Sequence, residues 1–524
     1  MSVKKRTLLR SGIVLVALGV FGWKYLMQPR TAPHGDDAPQ ASSAPAPFRK
    51  QMRDSLTLGT LAFRACELKR ANSGATTSAY CTTFAVPENR ADPHSRKIDL
   101  KLAILASDSQ SVDPDLVVLL AGGPGEAATE AWPANAGAYA PLRQHHDLLL
   151  LDQRGTGGSH ALSCPATEKS MQKSEAQAFD PDRVKSLTAQ CLAEVEKTAD
   201  PRFYTTSDAV ADLEAVRRAL GSPRLDLVGV SYGTRMAQQY AGAHSDAVRS
   251  IVLDSVVPNQ LVLGEDFADN LERALKLQSQ ACMAQPACKA AFGDPYAALH
   301  ALRDKLRAQP AQARFPDPVT FAPIDKPVTA DALAGVVRIF SYDAEAAAVL
   351  PLAISEAGKG NFAPLMGQSQ LLTGDLSADM NGGMQLSVIC SEDAALLATR
   401  PQDKDTILGS EIIDAIRAEC SVWPHGTMPK NFHAPFVSSI PTLILSGERD
   451  PVTPPRYAQE VLKGLSDGRV LEAKGMGHSV MARGCLPDLV NHFVTDLDPK
   501  ELDAKCLDRI GPVPAYVNFN GASP

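Results

Sequence analysis

The chain has 524 residues, 44% hydrophobic and 21% charged, a balance that supports a large buried core and excludes a wholly disordered chain. The formal net charge is −7, and no basic stripe carries interleaved aromatics, which excludes a general nucleic-acid binder. A peptide or small-molecule substrate fits this balance better.

At the N-terminus, "MSVKKRTLLR" is basic and "SGIVLVALGVFGW" is apolar, the n-region and h-region of an export signal. The apolar run is short for a membrane span, and "KYLMQPR" comes next with no small-residue cleavage site. Residues 1–27 therefore read as either a cleaved signal peptide or an N-terminal membrane anchor. Both place the bulk of the chain outside the cytoplasm, periplasmic or secreted, and a retained anchor would attach it to a membrane. Residues 28–50, which include "QPRTAPHGDDAPQASSAPAP", are a Pro/Ala/Ser-rich linker.

Ten cysteines fit export, and none lies in a repeated C-x-x-C zinc pattern. They fall as neighbours along the chain: Cys66 with Cys81, Cys164 with Cys191, Cys282 with Cys288, Cys390 with Cys420, and Cys485 with Cys506. Five disulfides in that order are the expectation, although sequence alone does not fix connectivity. The alternative is ten reduced thiols in the core of a cytosolic enzyme.

Strand character appears at Leu56–Lys69, Tyr80–Val86 and Lys97–Ala106, the last opening with strict polar/apolar alternation. The pattern then becomes short continuous apolar runs: "DLVVLLAGG", "HDLLLLDQRG", "LDLVGVS", "SIVLDSV" and "PTLILSG". Such runs suit strands covered by helices on both faces. Between them lie helical patterns such as "SDAVADLEAVRRALG", with an N-cap expected at Ser207 and a stop at Gly221. Alternating strands and helices predict an α/β protein whose parallel sheet is fed by an antiparallel N-terminal meander. The first part of this core covers 51–258. Residues 259–436 break the rhythm and read as a mainly helical insertion. The sheet pattern resumes over 437–512, and 513–524 form a tail.

Chemistry concentrates at "GVSYG". Gly229-Val230-Ser231-Tyr232-Gly233 is a G-x-S-x-G turn between an apolar strand and a helix, where glycines admit the backbone that exposes a nucleophilic serine. Alone, the same pattern also describes a plain serine N-cap. A serine nucleophile needs a base, and the base a carboxylate to hold its tautomer. "LILSGERDPVTPP" ends a strand with Asp450, and "VLEAKGMGHSV" puts His478 beyond the next strand, in the order nucleophile, acid, base. "LLAGGPGEA" supplies Gly122, Gly123 and Gly125, whose amides can stabilise an oxyanion. Asp254, in "VLDSVVP", is a rival acid. His145 and His146 precede a strand, His244 and His433 read as surface or packing residues, and Asp152 and Arg154 read as a charged loop scaffold.

The set "GGPG", "DQRGTGGS", "GVSYG", "DPVTP" and "GMGHSV", in this order, resembles the prolyl-aminopeptidase and tripeptidyl-aminopeptidase branch of the α/β-hydrolases, over roughly residues 56 to 510. The paired cysteines fit the tripeptidyl type with its TAP-like C-terminal region. The resemblance implies an α/β-hydrolase fold with an inserted helical cap. It implies Ser231 as nucleophile, Asp450 as acid and His478 as base, with the amides of Tyr232 and Gly123 as oxyanion donors. Ala121 stands where prolyl aminopeptidases usually carry a histidine before the glycine pair, which argues against a strict proline iminopeptidase.

An aminopeptidase must also pair its substrate's free ammonium, because an unpaired buried charge is costly. "VICSEDAA" offers Glu392 and Asp393 beside Cys390, and similar acids after such a cysteine occur in the TAP-like branch; Glu126, after the oxyanion glycines, is a further candidate. The alternative for Glu392 and Asp393 is a solvated acidic turn at a helix start. The expected protein is an exported serine aminopeptidase of proline-iminopeptidase or tripeptidyl-aminopeptidase type, acting on peptides with a free N-terminus. No metal or organic cofactor is expected. A carboxylesterase would use the same three residues beneath a different cap, and a tethered binding protein on this fold would be expected to have lost one of them.

Overall fold

A computed structural model of the chain describes residues 49–522, apart from 70–75, 166, 168–178, 319, 379 and 399. The expected signal or anchor and nearly all of the linker lie outside the described residues. Residues 49 and 50, assigned above to the linker, instead begin a strand: β1 (Arg49–Met52) pairs antiparallel with β2 (Ser55–Leu58). From there β3 (Leu61–Lys69), β4 (Thr76–Pro87) and β5 (Lys97–Leu105) continue the antiparallel meander.

The continuous apolar runs become β6 (Leu116–Leu120), β7 (Leu148–Leu151), β8 (Leu225–Val230), β9 (Val248–Asp254) and β12 (Thr442–Gly447), joined by β13 (Gly468–Ala473). The sheet order is β1-β2-β3-β4-β5-β7-β6-β8-β9-β12-β13, and every pair from β7 onward is parallel. Parallel strands need crossovers, and the crossover helices cover both faces, so each strand must be apolar on both sides. The period of two is still readable. Leu116, Val118 and Leu120 pack into one core with Tyr240, Leu213 and Tyr457, while Val117 and Leu119 pack into the other with Tyr139, Leu142 and Phe493.

The helix Thr206–Leu220 begins at Thr205, two residues before the expected Ser207. Asp208 decides this: its carboxylate accepts the Thr205 amide while the Thr205 hydroxyl accepts the Asp208 amide, a reciprocal box only that register allows. Gly221, at φ 68°, ends the helix as expected.

Between β9 and β12 lie the helices Phe267–Ala284, Pro295–Ala308, Ala330–Phe340, Ala344–Gly358, Gly382–Glu392 and Glu411–Cys420, among others. Part of this segment has its own core, with Leu271, Leu302, Leu333, Val337 and Phe340 at its centre. It also holds a hairpin, β10 (Ala311–Pro316) with β11 (Pro323–Val328), inside the segment expected to be mainly helical; prolines at its strand ends mask a strand signal. Part of the expected tail is docked: the Ala515 amide donates to Gln285 Oε1 at 3.0 Å, and the Tyr516 amide to the Ala348 carbonyl at 2.9 Å.

Disulfides join Cys66–Cys81, Cys164–Cys191, Cys282–Cys288, Cys390–Cys420 and Cys485–Cys506, and no free cysteine remains among the described residues. Among the described residues, no helix is long and apolar enough to cross a membrane.

Candidate active site

The end of β8 and the start of the helix Tyr232–Ala243 place Ser231 on a sharp turn, with φ 54° and ψ −123°. A non-glycine residue at positive φ is strained and must be over-determined by its surroundings. Here the two flanking glycines allow it. A Cβ on Gly229 would meet the Gly233 carbonyl oxygen at 2.5 Å, and one on Gly233 would meet the Ala121 carbonyl oxygen at 2.6 Å. The Ser231 amide is tied across to the Asp254 carbonyl at 2.9 Å. Ser231 occupies the N-cap position, yet its side chain makes no capping hydrogen bond, which removes the plain N-cap reading.

Asp450 follows β12 and His478 follows β13, parallel neighbours in the sheet. His478 Nδ1 lies 2.8 Å from Asp450 Oδ2. An ionised carboxylate only accepts, so Nδ1 carries the proton and Nε2 is left as acceptor. The other lone pairs of Asp450 are filled: Oδ1 accepts the Val452 and Thr453 amides, each at 2.8 Å, and Oδ2 accepts the Thr453 hydroxyl at 2.8 Å. Burial pushes the Asp450 pKa up, but the nearby imidazole and these donors outweigh it and hold the carboxyl below its ordinary value. Burial pushes His478 down, and the Asp450 charge, with smaller contributions from Asp254 and Glu126, lifts it above its ordinary value. The imidazole is held from behind as well: the His478 amide donates to the Tyr342 carbonyl at 2.7 Å, and the Tyr342 ring meets it edge-on at 5.1 Å.

The glycine loop after β6 lies against the serine. A Cβ on Gly122 would stand 3.2 Å from Ser231 Cβ, so glycine is what permits the approach. Gly123 is exposed, at φ 104°. Asn381, from the segment between β9 and β12, clamps the loop by donating its backbone and side-chain N–H groups to the Gly125 carbonyl, both at 3.0 Å. The phenol of Tyr232 is fixed by Thr206 Oγ1 at 2.6 Å and Gln153 Nε2 at 3.0 Å, which sets the first turn of the serine's helix.

Glu126 is half-buried beside this loop, its Oε2 accepting the Gly122 amide at 3.0 Å. Glu392 and Asp393 stand differently from the sequence expectation. Both side chains have 0% exposure. Glu392 accepts the Thr206 amide at 2.7 Å and hydroxyl at 3.0 Å, and Asp393 accepts Arg235 Nη1 at 2.8 Å. They brace the serine's helix from within and neither reaches solvent, so the solvated acidic turn is not what the structure shows.

Asp254 is not the partner of the imidazole. Its carboxylate accepts the Val480 amide at 3.0 Å and the Met481 amide at 2.8 Å, anchoring the histidine loop. Burial raises its pKa to about 6. Sequence reasoning missed this role; the available signal was an aspartate ending the strand between those of the serine and of Asp450. His433 is a packing residue, with its ring nitrogens on the Asn259 and Glu392 carbonyls at 2.9 and 2.8 Å. Arg154 is buried on Asp212 at 2.6 Å and Asp152 accepts the Thr129 amide at 2.8 Å, so both are scaffold.

A family model described as alpha/beta hydrolase fold matches residues 115–278, and one described as TAP-like protein matches residues 407–506. Serine protease Hip1 of Mycobacterium tuberculosis is 24% identical over 475 residues, covering 82% of this chain and 87% of its own. The tripeptidyl aminopeptidase of Streptomyces coelicolor is 24% identical over 469 residues, covering 83% and 84%. A proline iminopeptidase of Neisseria gonorrhoeae is 28% identical over 149 residues, covering 28% and 35%. The two matched regions hold the parallel strands on either side of the inserted segment, and with the parallel sheet and its serine turn they show the α/β-hydrolase fold of a serine hydrolase, similar to TAP-like proteins in its C-terminal region.

Proposed function

We propose that the protein is an exported serine aminopeptidase, with Ser231 as nucleophile, His478 as general base and Asp450 as the acid that orients it. The observation that carries this reading is the 2.8 Å contact between His478 Nδ1 and a fully buried, four-times hydrogen-bonded Asp450, in a chain that also holds Ser231 at positive φ on its turn. In that arrangement Nε2 takes the Ser231 proton as Oγ attacks the scissile carbonyl. The oxyanion forms against the Tyr232 and Gly123 amides. The imidazolium then protonates the leaving amine, and water attacks the acyl-enzyme by the same route. The segment 259–436 acts as a cap that admits chain ends. Of the three acids considered for the substrate ammonium, Glu126 has the exposure and the position beside the glycine loop, and we assign the role to it. Long relatives named as a serine protease and a tripeptidyl aminopeptidase support a peptide substrate. Five disulfides support maturation in an oxidising compartment outside the cytoplasm.

The test is hydrolysis of matched arylamides (Pro-, Ala- and tripeptidyl-, each with a free and an acetylated N-terminus) beside a short-chain ester. Cleavage of the free forms only, lost in Ser231→Ala, is the expected result, and the favoured amide gives the number of residues removed. Cleavage of the ester alone would make the protein a carboxylesterase.

A further inference from the structure

A cavity of about 300 Å³ lies behind the histidine loop, away from the serine. Its volume is at the lower end of ligand pockets, roughly 300–1,000 Å³. Neither Ser231 nor the Gly122–Gly125 loop lines it. One wall is Arg449, which precedes Asp450, together with Gly475 and Gly477, which precede His478. The rest of the lining is mostly small and apolar, Ala281, Ala348, Pro351 and Pro514 among it, with Gln278 and Gln285 as polar members. The backbone before His478 packs closely against the Tyr342 carbonyl, because a Cβ on Gly477 would meet that oxygen at 2.3 Å.

The arginine in this cavity is incompletely hydrogen-bonded. Arg449 Nε is buried and makes no hydrogen bond among the described residues. The nearest acceptor with negative charge, Glu448 Oε2, stands 3.9 Å away and already accepts the Gly475 amide at 2.8 Å. Burial pulls the Arg449 pKa below its ordinary value, and Glu448 offsets this only in part. A guanidinium nitrogen buried without an acceptor is costly, and a carboxylate is the group whose geometry satisfies it best.

We propose that this cavity binds a small carboxylate with an apolar body, the carboxylate on Arg449 and the body against the alanine and proline walls. A free short-chain acid and the C-terminus of a short apolar peptide share that chemistry. The site is independent of the aminopeptidase reading, since it needs neither the serine nor its substrate. Its position directly behind Asp450 and His478 means that occupancy stiffens the loops that carry them.

The experiment is calorimetric titration of the full chain with hexanoate and N-acetylalanine, beside hexanamide and N-acetylalaninamide as neutral matches. It is run on untreated protein and on protein whose serine has been blocked with a sulfonyl fluoride. Both blocked and untreated protein should bind the carboxylates and not the amides, and the tighter of the two acids identifies the source. Arg449→Gln should weaken binding by roughly tenfold or more. Ala348→Trp, which fills the cavity from its lining while leaving the arginine in place, should abolish it in protein whose circular dichroism is unchanged. Equal binding of the amides, loss of binding on sulfonylation, intact binding in Ala348→Trp, or no binding at about 20 mM ligand each overturns the proposal.

Discussion

Asp254 holds Ser231 with its backbone and the loop after His478 with its side chain: its carbonyl accepts the Ser231 amide at 2.9 Å while its carboxylate accepts Val480 and Met481. One residue at the end of β9 thus ties together the loops that carry the proposed nucleophile and the proposed base. Asp254→Asn keeps the size but replaces one acceptor oxygen with a donor, which must turn against an amide N–H. A hydrogen bond to a charged group contributes about 1.5–3 kcal/mol. The expected outcome is a folded enzyme whose kcat falls by about tenfold or more while KM changes little. Unchanged kcat in steady-state arylamide assays would show that the loop needs no such anchor.

The Asp450–His478 pair predicts the acid side of the pH profile. The proposed base works only when neutral, so kcat/KM is expected to rise as pH passes through the His478 pKa. Burial alone would put that pKa low, but the Asp450 charge lifts it above the ordinary histidine value, so the acid limb belongs above about 6.5. Asp450→Asn removes the main raising influence and also permits the wrong tautomer. The limb should move to lower pH, and kcat should drop by roughly 10⁴. A variant retaining its limb position would mean that another group titrates there.

The parallel strands and the serine turn were legible because their signals are local. β6, β7, β8, β9 and β12 are buried on both faces and so read as continuous apolar runs. β13, at the sheet edge and only partly buried, left a weaker trace. The order of Ser231, Asp450 and His478 was readable from three strand ends. Long-range pairing was not. The partners of Glu392 and Asp393, Thr206 and Arg235, lie 186 and 158 residues away, and no local pattern distinguishes an acid buried on an arginine from one facing a substrate. The clamp of Asn381 on Gly125 was hidden for the same reason, across 256 residues.

The turn glycines give a stability prediction. A Cβ on Gly233 would stand 2.6 Å from the Ala121 carbonyl oxygen and 2.7 Å from the Leu120 carbonyl oxygen, both backbone atoms of the neighbouring strand end. Backbone in a sheet cannot yield as a flexible side chain does, so the serine's helix must move. Gly233→Ala should cost about 1–3 kcal/mol, measured as a lowered midpoint in denaturant at unchanged m-value, and should reduce kcat by displacing Ser231. An unshifted midpoint would mean that the helix docks less tightly than these distances state.

Glu392 sets the last prediction, on stability against pH. Arg235 faces two carboxylates, Glu392 at 3.8 Å and Asp393 at 2.8 Å, so the buried cluster is neutral only while one acid keeps its proton. Burial, reinforced by Asp393, outweighs Arg235 and raises the Glu392 pKa from 4.5 to about 8. Between those two values the unfolded chain releases this proton and the folded chain retains it. The contribution of Glu392 to stability is therefore complete below about pH 4.5 and is lost as pH rises through about 8. Glu392→Gln resembles the protonated acid at every pH and should lose less of its melting temperature between about pH 5 and 9 than the wild type does. Parallel melting curves for the two proteins over that range would place the retained proton elsewhere in the chain.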